Sequence, residues 1–280
     1  MDAVSATPAG ATTIQDVRTH FDSPGTRRAF AAWQVDPRYG QVVSHLEQHV
    51  TEVLYQVTVA DVADVCRRTE HALGEVSRAV AESVKPVVDW NPAFAFTHVL
   101  HHLLEESEAI PTWRDFITFF RSDRTGYAML GRAIAEKSEE LLATGLPRSS
   151  VDDAMHWRVG NAYYSFLREL WVVANLRAAG VDVRMHPVAD ALFRVDAWFE
   201  RTALIVYVAN AKFRDQHAGR KVRAEQLLRG AEPGFDIDTV QLRTAAAFGR
   251  VHLPSQSDIK QVAERLKRGR PGPVAENRRT

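Results

Sequence analysis

The sequence predicts an α+β protein in which a helical N-terminal half precedes a C-terminal half of mixed helices and strands. Between about residues 40 and 145, apolar residues recur every three or four positions, which is typical of amphipathic helices. After Pro147 the pattern changes to one long helix, three short extended runs, and then a helix, a strand and a helix. The 280 residues are 45% hydrophobic and 25% charged, which indicates a globular chain of one large or two ordinary domains.

The N-terminal half is predicted to begin with a disordered tail over residues 1–25, because Ala, Thr, Ser, Gly and Pro dominate there. Residues 26–148 are predicted to form a helical domain. Its expected helices cover residues 42–57, Val59–Val84, about 92–104, Trp113–Phe120 and Ala128–Leu142. Pro86, Pro111 and Pro147 mark the breaks between several of them.

The C-terminal half is predicted to form one α/β domain over residues 149–268, followed by a basic tail over 269–280. A long helix from about 152 to 179 ends at Gly180, the residue type that favours a left-handed helix terminus. The remaining expected elements are strands Val181–Val188, Leu192–Phe199 and Ala203–Phe213, a helix near Asp215–Arg229, a strand near Thr239–Arg243 and a helix Ser257–Arg268. The core order is therefore α-β-β-β-α-β.

Charge and cysteine content narrow the classes of protein that fit. The net charge is zero, but the first 150 residues carry −6 and the remainder +6, so a polyanion is expected to meet the C-terminal half. The single cysteine, Cys66, excludes an intramolecular disulfide and fits a reducing compartment. The first residues lack a signal-peptide pattern and no run approaches 18 apolar residues, so we expect a cytoplasmic protein without membrane spans.

Polar residues on two neighbouring strands suggest a reactive site. Asp196 lies on the second expected strand, and Asn210 and Lys212 share one face of the third because side chains alternate along a strand. A charge among apolar strand residues is costly without a partner. Glu169 adds a carboxylate in the middle of the long helix.

This arrangement resembles the PD-(D/E)xK nuclease superfamily, whose fold is restriction-endonuclease-like. The matching residues are Glu169 in the helix, Asp196 on the second strand, and Asn210-Ala211-Lys212 on the third. The resemblance covers about residues 155–245. It implies an endonuclease that hydrolyses DNA in restriction, phage defence or DNA processing.

The same resemblance implies a magnesium site, with manganese as a substitute, held by Glu169, Asp196 and Asn210, and a Lys212 that orients the attacking water. Asn210 departs from the family pattern because an acid is expected there. An amide oxygen contributes no negative charge to the cation, so metal affinity is expected to fall. The proline that usually precedes the aspartate is also absent, because Arg194-Val195 stands there.

Basic residues beside the expected site favour DNA as the partner. Arg214, Arg220, Lys221 and Arg223 follow Lys212 closely, and such clusters neutralise phosphates without reading sequence. Phosphate-loop, dinucleotide-binding and serine-hydrolase motifs are absent from the sequence. Whether the chain is an enzyme depends on Asn210. The first alternative is therefore a catalytically inactive nuclease-like protein that binds DNA or acts as a scaffold.

A second alternative, from another class, places the function in the helical half. His45 and His49 are four residues apart, as are His98 and His102, and two such pairs on facing helices could hold a metal ion. His101, Glu105 and Glu106 lie beside the second pair. The helical half is also where a homo-oligomer contact or a partner protein is expected.

Overall fold

The computed structural model describes residues 10–208, 223–242, 244–248 and 251–269. The chain is a mixed α+β protein in which helices predominate. Within the described residues, the helices lack the combination of length and apolar character that a membrane span needs. One continuous apolar core, from Ile14 to Leu266, includes residues of both halves of the chain.

Ten α-helices, some of them only one turn long, precede residue 148 in the described part of the chain. They are α1 (Ile14–His20), α2 (Pro24–Val35), α3 (Gly40–Leu46), α4 (Val59–Arg68), α5 (Arg78–Ser83), α6 (Lys85–Val88), α7 (Phe96–Ser107), α8 (Trp113–Ser122), α9 (Arg124–Gly126) and α10 (Arg132–Ala143). The strands β1 (Thr12–Thr13) and β2 (Val50–Thr51) pair antiparallel. Short 3₁₀ turns lie at Pro37–Tyr39 and Val53–Gln56, and a π-helical turn, Tyr127–Gly131, joins α9 to α10.

Several of these helices begin where the local sequence provides a cap. Three helices begin with the same cap, at Thr13, Thr58 and Thr112. Each threonine side chain accepts a hydrogen bond from the backbone N–H three residues later. The residue there is an aspartate, and its carboxylate accepts from the backbone N–H of the threonine. Such reciprocal caps satisfy N–H groups that have no partner inside the helix. Residues 10–25 therefore differ from the predicted disordered tail: they form β1, α1 and the start of α2, and Val17 and Phe21 are fully buried.

The predicted helix over residues 42–57 is wrong in its second half. Helix α3 ends at Leu46, and β2 and a 3₁₀ turn follow. The carboxylate of Glu105 on α7 accepts hydrogen bonds from the backbone N–H groups of Glu52, Val53 and Leu54. A contact between distant residues thus replaces the hydrogen bonds that a continuing helix would make.

Helix α11 (Arg148–Ala178) runs through the middle of the molecule and confirms the long helix that the sequence predicts. It packs against α4, α5, α7, α10 and α13. Its buried residues include Tyr163, Phe166 and Trp171, which lie on several faces because neighbours surround the helix. Gly180 follows its end with a φ of 78°, in the left-handed region that glycine adopts without strain.

The main sheet contains β3 (Ala197–Phe199), β4 (Thr202–Val208) and β5 (Asp236–Leu242). Strand β3 is antiparallel to β4, and β4 is parallel to β5. A short helix over residues 223–228, named α12, lies between β4 and β5 in the chain. The predicted strand from Ala203, the helix after it and the strand near Thr239 are therefore confirmed as β4, α12 and β5. The expected helix starts at Asp215, and its first part lies outside the described residues.

A hairpin and a helix complete the fold. The hairpin is formed by β6 (Thr244–Phe248) and β7 (Val251–Pro254), and α13 (Gln256–Lys267) follows. The indole Nε1 of Trp171 donates to the backbone carbonyl of Pro254 at 2.9 Å, which ties β7 to α11. The sequence predicts α13 and β5 but not this hairpin.

The first predicted strand, Val181–Val188, is wrong. Only Arg184 pairs, in a single antiparallel bridge with Trp198. Pro187 starts a helical turn, and the ring Nδ1 of His186 caps it by accepting from the N–H of Val188 at 3.2 Å. A π-helical turn, Ala189–Phe193, follows and ends at Arg194 with a φ of 64°, so the predicted strand Leu192–Phe199 starts only at Ala197.

Candidate functional site

A cavity of about 570 Å³ lies where α2, α11, the Asn91–His98 segment, residues 188–194 and Arg223 of α12 meet. Six charged side chains line it, three acidic and three basic. They are the carboxylates of Asp36, Glu169 and Asp190 and the guanidinium groups of Arg158, Arg194 and Arg223. Asp36 is paired with Arg38. Concave sites with a few convergent polar groups are where small molecules and reacting groups bind.

Glu169 reaches the cavity because of its position on α11. Arg158, Ala162, Ser165, Phe166 and Glu169 all line the cavity, at the three- and four-residue spacing that places residues on one helix face. Glu169 is half-buried there. The sequence predicts Glu169 as the helix acid of the site, and the structure places it in this cavity.

Asp190 and Arg194 line the same cavity, and neither is among the residues that the sequence predicts for the site. Asp190 lies in the π-helical turn and Arg194 directly follows it, where the sequence predicts extended chain. Two signals could have identified them. Pro187 favours the start of a helix, and Asp190 is the one acid in the stretch Val188–Phe193.

Asp196 is 5% exposed, and it is not among the residues that line the cavity containing Glu169. Its Oδ2 accepts from the backbone N–H of Val206 at 2.7 Å, and its own N–H donates to the carbonyl of Leu204. These bonds extend the pairing of β3 with β4 by one residue and join Asp196 to the sheet.

The other predicted residues follow β4 in the chain. Asn210, Lys212, Arg214, Arg220 and Lys221 lie outside the described residues. The chain leaves the described part at Val208, the end of β4, and re-enters it at Arg223, which is exposed and lines the cavity. Of the predicted DNA-binding residues, Arg223 is therefore the one whose place is described.

Arg158 fixes one wall of the cavity. Its Nε donates to the carbonyl of Trp90 at 2.9 Å, and its Nη2 donates to the Oδ1 of Asn91 at 2.8 Å. The guanidinium also lies 5.1 Å from the ring centroid of Phe96. Burial lowers the pKa of Arg158, although such a group stays protonated at neutral pH. Arg158 therefore holds the segment before α7 against α11.

The two histidine-bearing segments face each other as predicted, but His101 and not His98 lies opposite His49. The ring centroids of His45 and His102 are 4.7 Å apart, and those of His49 and His101 are 6.1 Å apart. His186, which the sequence analysis missed, lies 5.3 Å from His49. In the described part of the chain, however, no three His, Cys, Asp or Glu side chains are arranged to hold a metal ion.

Two hydrogen bonds help to explain why these histidines are not arranged to bind a metal ion. The Nδ1 atoms of His98 and His186 accept from the N–H groups of Ala95 and Val188, both at 3.2 Å. In a neutral ring this places the proton on Nε2, where a metal would need a lone pair. Glu105, grouped with these rings in the sequence, instead caps the turn at residues 52–54.

The lone cysteine is unsuited to nucleophilic chemistry. Cys66 is fully buried in α4, and burial raises the pKa of its thiol to about 12. A thiol that stays protonated at neutral pH is a poor nucleophile.

Comparison of the chain with protein-family models, with curated proteins and with solved structures gives no significant match.

Proposed function

We propose that the protein is a magnesium-dependent nuclease that hydrolyses DNA phosphodiesters at the cavity lined by Glu169 and Asp190. The observation that carries the proposal is the meeting of three carboxylates and three guanidinium groups in one cavity, where Asp36 is paired with Arg38 and Glu169 and Asp190 are the candidate ligands. Carboxylates attract a hard divalent cation, and guanidinium groups bind the phosphate that such a cation also contacts.

The order of elements supports the proposal. Helix α11 contributes Glu169, an antiparallel pair β3–β4 follows, and then α12 and β5, with β5 parallel to β4. The PD-(D/E)xK resemblance implies a helix, three strands, a helix and a fourth strand. Strands β3 and β4 correspond to the second and third of these strands, α12 to the second helix and β5 to the fourth strand. The strand that should lead to the reactive amide and lysine is β4, because Asn210 and Lys212 follow its last residue, Val208, by two and four positions.

The donor set suits magnesium better than a softer metal. Magnesium binds through one or two carboxylates and keeps several waters, so it does not require three converging protein ligands. Glu169 and Asp190 would hold it, and the Asn210 amide oxygen is the third candidate. The cation would offset negative charge on the phosphate in the transition state.

The remaining residues have separate roles in this proposal. Arg194 and Arg223 bind phosphates of the DNA backbone, together with Arg214, Arg220 and Lys221. Lys212 orients the attacking water. We assign Asp196 to positioning β4, since its carboxylate holds the N–H of Val206, and not to direct contact with the cation.

Incubation of the purified protein with plasmid and with single-stranded DNA, in magnesium, manganese or EDTA, tests the proposal. Glu169→Gln, Asp190→Asn and Lys212→Ala should each lower the cleavage rate by about 100-fold or more, because each removes charge from the reacting centre. Glu136→Gln, which changes an exposed acid of α10 outside the cavity lining, is the matched control. Equal cleavage by the wild type and all three cavity variants would identify a contaminating nuclease and end the proposal.

A catalytically inactive DNA-binding protein is the second candidate, and Asn210 in place of an acid favours it. In that case the wild type binds DNA without cleaving it, and Arg194→Ala and Arg223→Ala weaken binding and reduce its salt dependence. Asn210→Asp then adds the missing charge. Magnesium-dependent cleavage gained by this variant supports an inactivated nuclease site, whereas an unchanged variant that binds no magnesium by calorimetry contradicts it.

A further inference from the structure

The cavity that contains Glu169 and Asp190 has an aromatic side that the proposed hydrolysis does not use. Three rings from two segments of the N-terminal half contribute to it. Trp33 belongs to α2, Tyr39 ends the 3₁₀ turn that follows, and Phe96 begins α7. We name these three residues the aromatic wall.

The aromatic wall is held in place next to the charged residues. Helix α2 packs against the π-helical turn Ala189–Phe193, which carries one of the cavity acids. The ring of Trp33 is 9% exposed, and its centroid lies 5.5 Å from that of Phe30. Tyr39 is half-buried. The cavity therefore combines an apolar, aromatic part with a charged part.

One polar atom in the cavity lining lacks a partner. The Oγ1 atom of Thr97, which directly follows Phe96, is buried without a hydrogen bond among the described residues. Asp36 of the same lining differs, because its carboxylate is paired with Arg38. Buried polar atoms are nearly always hydrogen-bonded in folded proteins. The Thr97 hydroxyl is therefore suited to a polar group of a ligand.

The size of the cavity restricts what can enter it. Its volume of about 570 Å³ falls in the range of about 300–1,000 Å³ that is typical of small-molecule sites. If it were equally wide in every direction, it would be about 8 Å across, whereas the major groove of a duplex alone is about 12 Å wide. A single nucleotide fits these dimensions, and a paired duplex does not.

We propose that the cavity binds one unpaired nucleotide of single-stranded DNA, with its base on the aromatic wall and its phosphate beside Glu169 and Asp190. The position of the phosphate rests on the proposed function of these two carboxylates. The base is flat, so its face stacks on aromatic side chains, and its polar edge can bond to the Thr97 hydroxyl.

This arrangement selects for the state of the DNA. In a duplex the face of each base is covered by its neighbours and its edge is paired, so neither is available to the aromatic wall or to Thr97. Unpairing and unstacking a base costs free energy that a single strand does not need. Single-stranded DNA is therefore the substrate class that the cavity favours.

Binding to two probes in EDTA tests the base site without any cleavage. The probes are a fluorescent thymidine oligonucleotide and an abasic oligonucleotide of the same length, which carries the same phosphates. The wild type should bind the thymidine strand about tenfold more tightly, as measured by fluorescence anisotropy, because base stacking is absent from the abasic strand. Equal affinity for both strands would overturn the proposal.

Variants of the aromatic wall locate the base. Trp33→Ala should weaken binding of the thymidine strand by about tenfold and leave the abasic strand unchanged, whereas Trp33→Phe should retain most of the affinity. Because Trp33 is nearly buried, Tyr39→Ala and Thr97→Val provide the test if Trp33→Ala does not fold. Thr97→Val should lose affinity without losing stability, since it removes a hydroxyl that has no partner.

Tyr127→Ala is the matched control, because Tyr127 is an exposed aromatic residue outside the cavity lining. It should bind both strands as the wild type does. Unchanged binding of the thymidine strand by folded Tyr39→Ala and Thr97→Val proteins would refute the base site.

Cleavage rates separate this proposal from the proposed nuclease activity. In magnesium, a single strand should be cut about tenfold faster or more than the same sequence in a duplex. Equal rates would contradict the preference for single strands and leave the nuclease proposal intact. Absence of cleavage, with base-dependent binding retained, would end the nuclease proposal and support the base site.

Discussion

The Oδ2 atom of Asp196 accepts a hydrogen bond from the backbone N–H of Val206 at 2.7 Å, where β3 and β4 begin to separate. The carboxylate thus provides the acceptor that a further strand residue would provide. Because Asp196 is 5% exposed, water cannot easily replace this bond. The residue that the sequence marks as a metal ligand has a clear role in the sheet.

Replacing Asp196 should reveal this role. Asp196→Ala leaves the partly buried N–H of Val206 without its acceptor and should lower the free energy of unfolding by about 1–3 kcal/mol. Asp196→Asn keeps an oxygen in place and should cost about 1 kcal/mol less. Urea unfolding monitored by circular dichroism measures both. Equal stability of the alanine variant and the wild type would remove the positioning role from Asp196.

The ion pair between Asp238 of β5 and Arg265 of α13 should be a second determinant of stability. Both Nε and Nη2 of Arg265 donate to Asp238 Oδ2, at 3.0 and 2.7 Å, and the Asp238 side chain is 3% exposed. Arg265→Ala leaves a buried carboxylate without its partner and should cost about 3 kcal/mol.

The neighbouring pair of Arg268 and Glu264 provides the matched control. Its atoms are 3.9 Å apart and both side chains are exposed, so Arg268→Ala should change stability by less than about 0.5 kcal/mol. The double change Asp238→Leu and Arg265→Met should recover much of the loss, because no charge is then buried alone. Equal unfolding midpoints for Arg265→Ala and Arg268→Ala would show that the buried pair contributes nothing.

Gly160 should be intolerant of any side chain. A Cβ built there would lie 2.2 Å from the carbonyl oxygen of Ala72, so α11 and the chain after α4 approach more closely than any other residue allows. Gly160→Ala should lower the thermal midpoint by several degrees, equivalent to about 2 kcal/mol or more. Gly40→Ala, at a helical position with nothing within 4 Å, should be neutral or slightly stabilising. A stable Gly160→Ala variant would mean that the two segments can separate without cost.

Helices were predictable from the sequence where short-range signals specify them. The apolar spacing from Val151 to Leu176 predicts α11, and the Thr-x-x-Asp pairs at Thr58 and Thr112 mark the starts of α4 and α8. The apolar run Ala203–Val208 predicts β4. These signals act between residues at most four positions apart, so they survive without knowledge of the rest of the fold.

The candidate site was only partly predictable. Glu169 stands out because a charge interrupts an apolar helix, and the structure places it in the cavity. Asp190 was missed because the apolar residues on either side of it suggest a strand, whereas Pro187 and the Nδ1 of His186 start a helical turn there. That cap depends on the position of His186, whose ring lies 5.3 Å from the ring of His49, a residue far away in the sequence.

By itself, the sequence determined that this chain is helical first and mixed later, where α8, α10, α11 and α13 lie, and which residues carry unusual charge. The tertiary structure alone decided that Asp190 lines the same cavity as Glu169, that Asp196 accepts from the N–H of Val206, and that the ring of His186 lies beside that of His49. The reason is physical: helix periodicity and capping are local free energies, whereas a cavity or a cluster forms only when burial of the shared core brings distant segments into contact.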